Sequence, residues 1–289
     1  MKEKNQMLED RKLKEIEHSD RRRSIVRAHE YKTDANPEQL DNKYIEREKG
    51  FEQHFSNMKF YSISGSSFAY RDALLFENIK NAVALDYCCG NGEVAIEIAK
   101  RGASRVIGID ISTVAVENAR VLAKAAGVDA VCEFRVMDAE HTEFADGTFD
   151  VIHEYGALHH LDLSAAFTEL SRILKPEGKL ICTEALRHNP LIHWYRKRTP
   201  HLRTDWEVKH ILGFSEIYSG DKYFEGIDIR TFHLVALAAV PLRKSRYFNK
   251  ILRVFEEVDN VILSFPLLRR LAWVAVIQYS RPRFPSTDI

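Results

Sequence analysis

The stretch Leu85-Asp86-Tyr87-Cys88-Cys89-Gly90-Asn91-Gly92 decides the fold. It follows the apolar run Ala82-Val83-Ala84 and precedes a helical pattern from Glu93 to Arg101. It therefore reads as a tight link from a buried strand into a helix. Its two glycines let bare backbone approach a ligand, because no Cβ stands in the way. A second run, Arg105-Val106-Ile107-Gly108-Ile109, ends in Asp110, whose carboxylate can accept both hydroxyls of a ribose. This order of strand, glycine turn, helix, strand and acid asks for a nucleoside ligand across the carboxyl ends of a parallel sheet.

Two cofactor chemistries fit that geometry. Gly90, Gly92 and Ala95 satisfy the dinucleotide spacing G-x-G-x-x-G/A, so an NAD-dependent oxidoreductase is one alternative. Asp86 weighs against it. A pyrophosphate seated at the helix N-terminus would be repelled by a carboxylate beside it, whereas an ammonium group would be attracted.

The stretch resembles the first motif of class I S-adenosylmethionine-dependent methyltransferases, L-D-x-G-C-G-x-G. Leu85, Asp86, Cys89, Gly90 and Gly92 match, and Cys88 replaces the first glycine. Val106 to Ser112 looks like the second motif and Val136-Met137-Asp138-Ala139-Glu140 like the third. Phe149 to Tyr155 looks like the fourth strand, running into the loop Gly156 to Leu161, and Leu174 to Leu180 like the turn before the fifth.

The resemblance implies an α/β, Rossmann-like, seven-stranded, mostly parallel sheet with flanking helices, its last strand antiparallel. It implies S-adenosyl-L-methionine as cofactor and methyl transfer to oxygen or carbon of a small molecule in bacterial biosynthesis. It also implies the cofactor contacts. Tyr61 is expected in a lid, and Asp86 at the amino-acid tail. Cys88, Gly90 and Gly92 form the turn, and Asp110 and Ile111 flank the ribose. Asp138 and Ala139 meet the adenine edge, and Glu154 and Tyr155 close the fourth strand. A non-catalytic S-adenosylmethionine-binding sensor or scaffold is the alternative outside enzymes.

Composition narrows the class. The 289 residues carry 45% hydrophobic residues and a formal net charge of +0. That is enough for one large domain with an appendage, and it argues against a binding face for nucleic acid. After the fourth strand, Glu154-Tyr155-Gly156-Ala157 replaces the N-P-P-Y-like clamp on a flipped base. The 4 cysteines have no disulfide or zinc spacing and read as reduced thiols. The N-terminus is charged, unlike a signal peptide. The apolar run Leu234 to Leu242 falls short of the roughly 20 residues that cross a bilayer. A cytoplasmic protein with no transmembrane segment follows, with peripheral membrane contact and homo-oligomerisation left open. No set of acids for magnesium is convincing, and no metal site is expected.

Residues 1–58 read as a charged helical arm or lid, with a thin apolar stripe of Leu8, Leu13, Ile16, Ile25 and Val26. Phe51, Phe55, Phe60, Tyr61, Phe68 and Tyr70 follow as an aromatic seam. Residues 59–289 read as the methyltransferase domain. Helices are expected over 115–126, 162–174 and 205–218, and closing strands over 224–229 and 271–279. A helical cap insertion is expected over about 186–268, its apolar part moulding a greasy acceptor pocket.

A sulfonium is already a good leaving group, so such an enzyme must position its acceptor and assist loss of a proton. His159, His160 and Glu154 are the catalytic candidates, just past the fourth strand, with His159 first because its ordinary pKa suits the task. His153 falls inside the strand and reads as packed. Glu184, Tyr195, Arg196 and Arg203, just past the fifth strand, are candidate acceptor contacts, the arginines for an anionic group.

Overall fold

Strand β1 (Val83–Tyr87) is almost wholly buried, as a central strand covered on both faces must be. Leu85 and Tyr87 point into one apolar cluster with Phe149, Ile152 and Phe167. Ala84 points into the other, with Ile98, Val106, Val116 and Phe134. The computed structural model describes residues 2–30 and 57–283; Phe51 and Phe55 of the aromatic seam lie outside them.

The described chain opens with α1 (Lys2–Glu30), then α2 (Met58–Tyr61) and α3 (Gly65–Phe76). After β1 come α4 (Glu93–Lys100), β2 (Arg105–Asp110), α5 (Thr113–Ala125), β3 (Cys132–Val136) and β4 (Phe149–Tyr155). A single 3₁₀ turn, Leu158–His160, leads to α6 (Leu163–Ile173) and β5 (Leu174–Ala185). Helices α7 (Pro190–Arg198), α8 (Asp205–His210) and α9 (Phe214–Tyr218) precede β6 (Phe224–Phe232), and α10 (Phe248–Ile262) precedes β7 (Val274–Pro282).

The strands form one seven-stranded sheet in the order β3-β2-β1-β4-β5-β7-β6. β1 to β5 pair in parallel, while β7 runs antiparallel to both β5 and β6. This is the expected Rossmann-like architecture. The strand order reverses between β1 and β4, so their carboxyl ends splay open a crevice. Side chains that accept from free backbone N–H groups fix where the helices start. Ser112 caps α5, Asp162 caps α6, Asn189 caps α7 and Thr204 caps α8. The turn Lys175 to Gly178 lies inside β5, where pairing jumps from Phe149↔Leu174 to Val151↔Lys179.

Three expectations need correction. The stretch 186–268 is not one insertion, because β6 divides it into a segment before and a segment after the strand. The second segment does not mould the acceptor pocket. Ala236, Leu237, Ala239 and Val240 are buried against Phe60, Ile63, Ile192 and Trp273, and they pack solid there. The helix expected over 205–218 breaks at Ile211–Gly213 into α8 and α9, where Gly213 takes an extended backbone.

Candidate active site

The carboxyl ends of the central strands open into a cavity of about 320 Å³, within the usual size of a small-molecule site. Tyr61, Cys88, Asp110, Ile111, Asp138, Ala139 and Tyr155 line it, as do His159, His160, Glu184, Tyr195, Arg196 and Arg203. Asp86, Gly90, Gly92 and Glu154 do not. Residues about a hundred positions apart meet there because the ends of parallel strands converge.

Asp110 ends β2 with its carboxylate tied back to the glycine turn. Oδ2 accepts from Gly90 N–H at 3.0 Å and Oδ1 from Ser112 N–H at 2.9 Å. A carboxylate has about four lone-pair sites, so two remain for ribose hydroxyls. Burial raises its pKa, although those two bonds and the Arg23 guanidinium pull the other way. Asp138 accepts from Glu140 N–H at 3.0 Å and from Lys12 Nζ at 2.6 Å. These bonds hold its pKa below the ordinary carboxylate value against the effect of burial. Gly90 has φ +55°, and a Cβ there would come within 2.4 Å of Arg23 Nη2, so a glycine is needed for anything to lie close over the turn.

Gly92 serves packing instead. A Cβ at that position would meet the Phe134 ring at 2.6 Å and Ala119 Cβ at 2.9 Å. Asp86 is corrected too. Its oxygens are taken by Ala95 N–H at 3.1 Å and His153 Nδ1 at 2.8 Å. It secures the start of α4 from beneath and is buried outside the cavity lining. His153 is buried, as expected of a strand residue. Glu154 is likewise turned from the cavity. Its Oε1 accepts from Ala157 N–H at 2.5 Å and Leu158 N–H at 3.3 Å, so it shapes the loop that presents the histidines.

His159 Nδ1 lies 2.7 Å from Glu184 Oε2, and Leu158 N–H donates to Glu184 Oε1 at 2.7 Å. Burial raises Glu184 to about 7. Burial, helped by neighbouring His160, lowers His159 to about 3, so its imidazole is neutral at neutral pH. With Nδ1–H directed at Glu184, the Nε2 lone pair is free to meet a proton or a cation. His160 Nδ1 lies 2.9 Å from Glu15 Oε2, and this bond raises its pKa despite burial. Arg196 donates to Leu186 O at 2.9 Å. Burial, with Arg203 close by, lowers its pKa to about 10. Phe60, Ile192, Leu202, Ile211 and Trp273 supply an apolar wall.

Several wall residues carry no signal in the motifs. Arg11, Lys12, Glu15 and Arg23 come from α1, and Glu207 comes from α8. Arg11 donates to Glu140 at 2.5 Å and to His160 O at 3.0 Å. The i, i+4 pair Arg203 and Glu207 and the capping pattern Thr204-x-x-Glu207 were signals in the chain that could have pointed to Glu207.

Residues 85–182 match the family described as "Methyltransferase domain". Residues 85–182 are a class I methyltransferase domain. This S-adenosylmethionine-dependent methyltransferase domain has relatives of known name. The chain is 34% identical to a demethylmenaquinone methyltransferase of Lactiplantibacillus plantarum, over 40% of this chain and 52% of that protein. It is 39% identical to a 27-O-demethylrifamycin SV methyltransferase of Amycolatopsis mediterranei, over 33% of this chain and 36% of that protein. The chain thus spans about half or less of the length of these relatives. The fold is similar to that of geranyl diphosphate C-methyltransferase from Streptomyces coelicolor A3(2), solved with Mg²⁺, geranyl diphosphate and S-adenosyl-L-homocysteine. That likeness has a TM-score of 0.52 and 17% identity and covers 86% of each chain. For the cofactor of this methyltransferase domain, the lone pairs left on Asp110 suit the ribose of a nucleoside.

Proposed function

We propose that the chain transfers the methyl group of S-adenosylmethionine to a small, apolar acceptor that carries an anionic group. One observation carries this reading. The acids suited to the nucleoside, Asp110 and Asp138, share a single cavity with the Glu184-bound His159. Asp110 holds the ribose and Asp138 the adenine amino group, which leaves the sulfonium methyl directed towards His159. His159 stands at the acceptor's reacting group. Phe60, Ile192 and Trp273 take up the acceptor's apolar body, while Arg196 and Arg203 attract its anion. Methyl transfer to named small molecules by the relatives supports this assignment.

Isothermal titration with adenosylhomocysteine and turnover with labelled S-adenosylmethionine in a bacterial extract test the reading. Asp110→Ala removes two charge-assisted hydrogen bonds to the ribose and should weaken binding about a hundredfold or more. His159→Ala should leave binding unchanged and slow transfer about a hundredfold or more. Full affinity in Asp110→Ala would overturn the placement of the cofactor. Undiminished turnover in His159→Ala would remove that residue from the reacting centre.

A further inference from the structure

Beside the acceptor wall, one nitrogen each of His159 and His160 and one carboxylate oxygen of Glu207 lie within 4.8 Å of one another. Each of the three side chains also has a partner that fixes its orientation. Glu184 lies 2.7 Å from His159 Nδ1, and Glu15 lies 2.9 Å from His160 Nδ1. Arg203 Nε reaches Glu207 Oε1 at 3.3 Å. His159 Nε2 faces the same Glu207 oxygen at 3.9 Å.

A carboxylate on one imidazole nitrogen, with the other nitrogen directed at a shared point, is the outer-shell arrangement of metal-ligating histidines. Here the carboxylate on Nδ1 occurs twice, on adjacent residues, and the carboxylates come from different elements, α1 and β5. His159 Nε2 faces Glu207, and one nitrogen of His160 lies within 4.8 Å of the same atoms.

We propose that His159, His160 and Glu207 bind a first-row transition dication of the zinc type, which holds the acceptor's hydroxyl at the methyl donor. The proposal deepens the methyl-transfer reading and rests on it for the ion's role. Two imidazoles and one carboxylate suit zinc or ferrous iron and leave coordination positions open to substrate. Magnesium prefers an all-oxygen shell. Ligand atoms about 2.1 Å from a tetrahedral ion stand about 3.4 Å apart, so Glu207 must close in by an ångström or so, within reach of a carboxylate side chain. A hydroxyl bound to such an ion ionises near neutral pH, its proton passing to water. The oxygen then forms a bond to the methyl carbon as the S–CH₃ bond breaks. That bond's electron pair returns to sulfur, leaving neutral adenosylhomocysteine.

The test is calorimetric titration of Zn²⁺ into the metal-stripped full-length chain, alongside His159→Gln, His160→Gln and Glu207→Gln. Cobalt substitution, read by its visible absorption, provides a second signal. The expected result is one Zn²⁺ per chain, bound at least tenfold more weakly in each variant, with Mg²⁺ not binding. Glu15→Gln, which removes no ligand, should weaken Zn²⁺ about tenfold and replaces any variant that fails to fold. Absence of stoichiometric Zn²⁺ binding, or wild-type affinity in all the variants, overturns the proposal. Adenosylhomocysteine titrated into the metal-stripped chain reads the methyl-transfer assignment separately, so either can fail while the other stands.

Discussion

Glu154, Glu184 and His159 form a buried proton reservoir behind the reacting centre. Burial and the neighbouring Glu184 carboxyl raise Glu154 well above its ordinary 4.5, so the folded chain keeps a proton that the unfolded chain has lost. The folded state then binds more protons, and stability must fall as pH rises through that window. His159 acts oppositely. The unfolded imidazole takes a proton below 6.5, while the folded one stays neutral down to about 3. Glu184, raised to about 7, cancels it over pH 4.5 to 6.5. Glu154 keeps its proton above the ordinary carboxylate range. Glu154→Gln should therefore make the decline of unfolding free energy with rising pH shallower above the ordinary carboxylate range. Urea unfolding at fixed pH steps measures it, and an unchanged slope would show Glu154 ionised in the fold. The identity of these groups was legible in the sequence because strand ends are where a doubly wound sheet keeps its polar residues. Their direction was not. Glu154 and Tyr155 are consecutive on a pleated strand and so face opposite ways, and the loop's free N–H groups at Ala157 and Leu158 draw Glu154 inward.

The first helix docks by charge where a hydrophobic stripe was expected. Arg11 is 5% exposed while Leu13 is 59% exposed, the reverse of an apolar seam. Lys12 pairs with Asp138, Asp20 with the Ser112 hydroxyl, and Arg23 stands over Gly90. The helix itself was legible as a charged arm, but its seat was not, because ion pairs across distant sequence leave no periodic trace. The βα units were the opposite case. Caps and apolar periodicity are local, so α5 and α6 fall within two residues of their expected bounds. The docking has a consequence for ligand binding. In the proposed placement of the adenine, its amino group and Lys12 draw on the same Asp138 carboxylate, so ligand and helix compete for one acid. Lys12→Ala should tighten adenosylhomocysteine two- to fivefold, the worth of a partly buried ion pair. Titration calorimetry at low salt reads the change, and weaker binding would mean that Lys12 belongs to the ligand site.

At the scale of the whole molecule, the sheet is closed by its last strand. β7 lies between β5 and β6, pairing Leu180↔Tyr279 on one side and Ile227↔Tyr279 on the other. β6 is made earlier in the chain but has no other partner in the sheet, so its strand pairing runs only through β7. Val274, Ala275, Val276, Ile277 and Tyr279 are buried, and Tyr279 Oη donates to Ile217 O at 2.9 Å, tying α9 to the sheet. Loss of β7 would bare the edge of β5, set β6 adrift and uncover Phe167 and Phe224, which pack on Tyr279. An unpaired hydrophobic strand edge is an aggregation site, and the burial lost with Val274, Val276 and Ile277, about 1.5–3 kcal/mol each, is comparable with a marginal folding free energy of about 5–15 kcal/mol. A chain ending at Leu271 should therefore show no cooperative urea transition by far-ultraviolet circular dichroism and should sediment as aggregate, although residues 85–182 remain intact. A soluble, cooperatively unfolding product would mean that β1 to β5 with their helices fold alone and that β6 and β7 are an addition to a self-sufficient core.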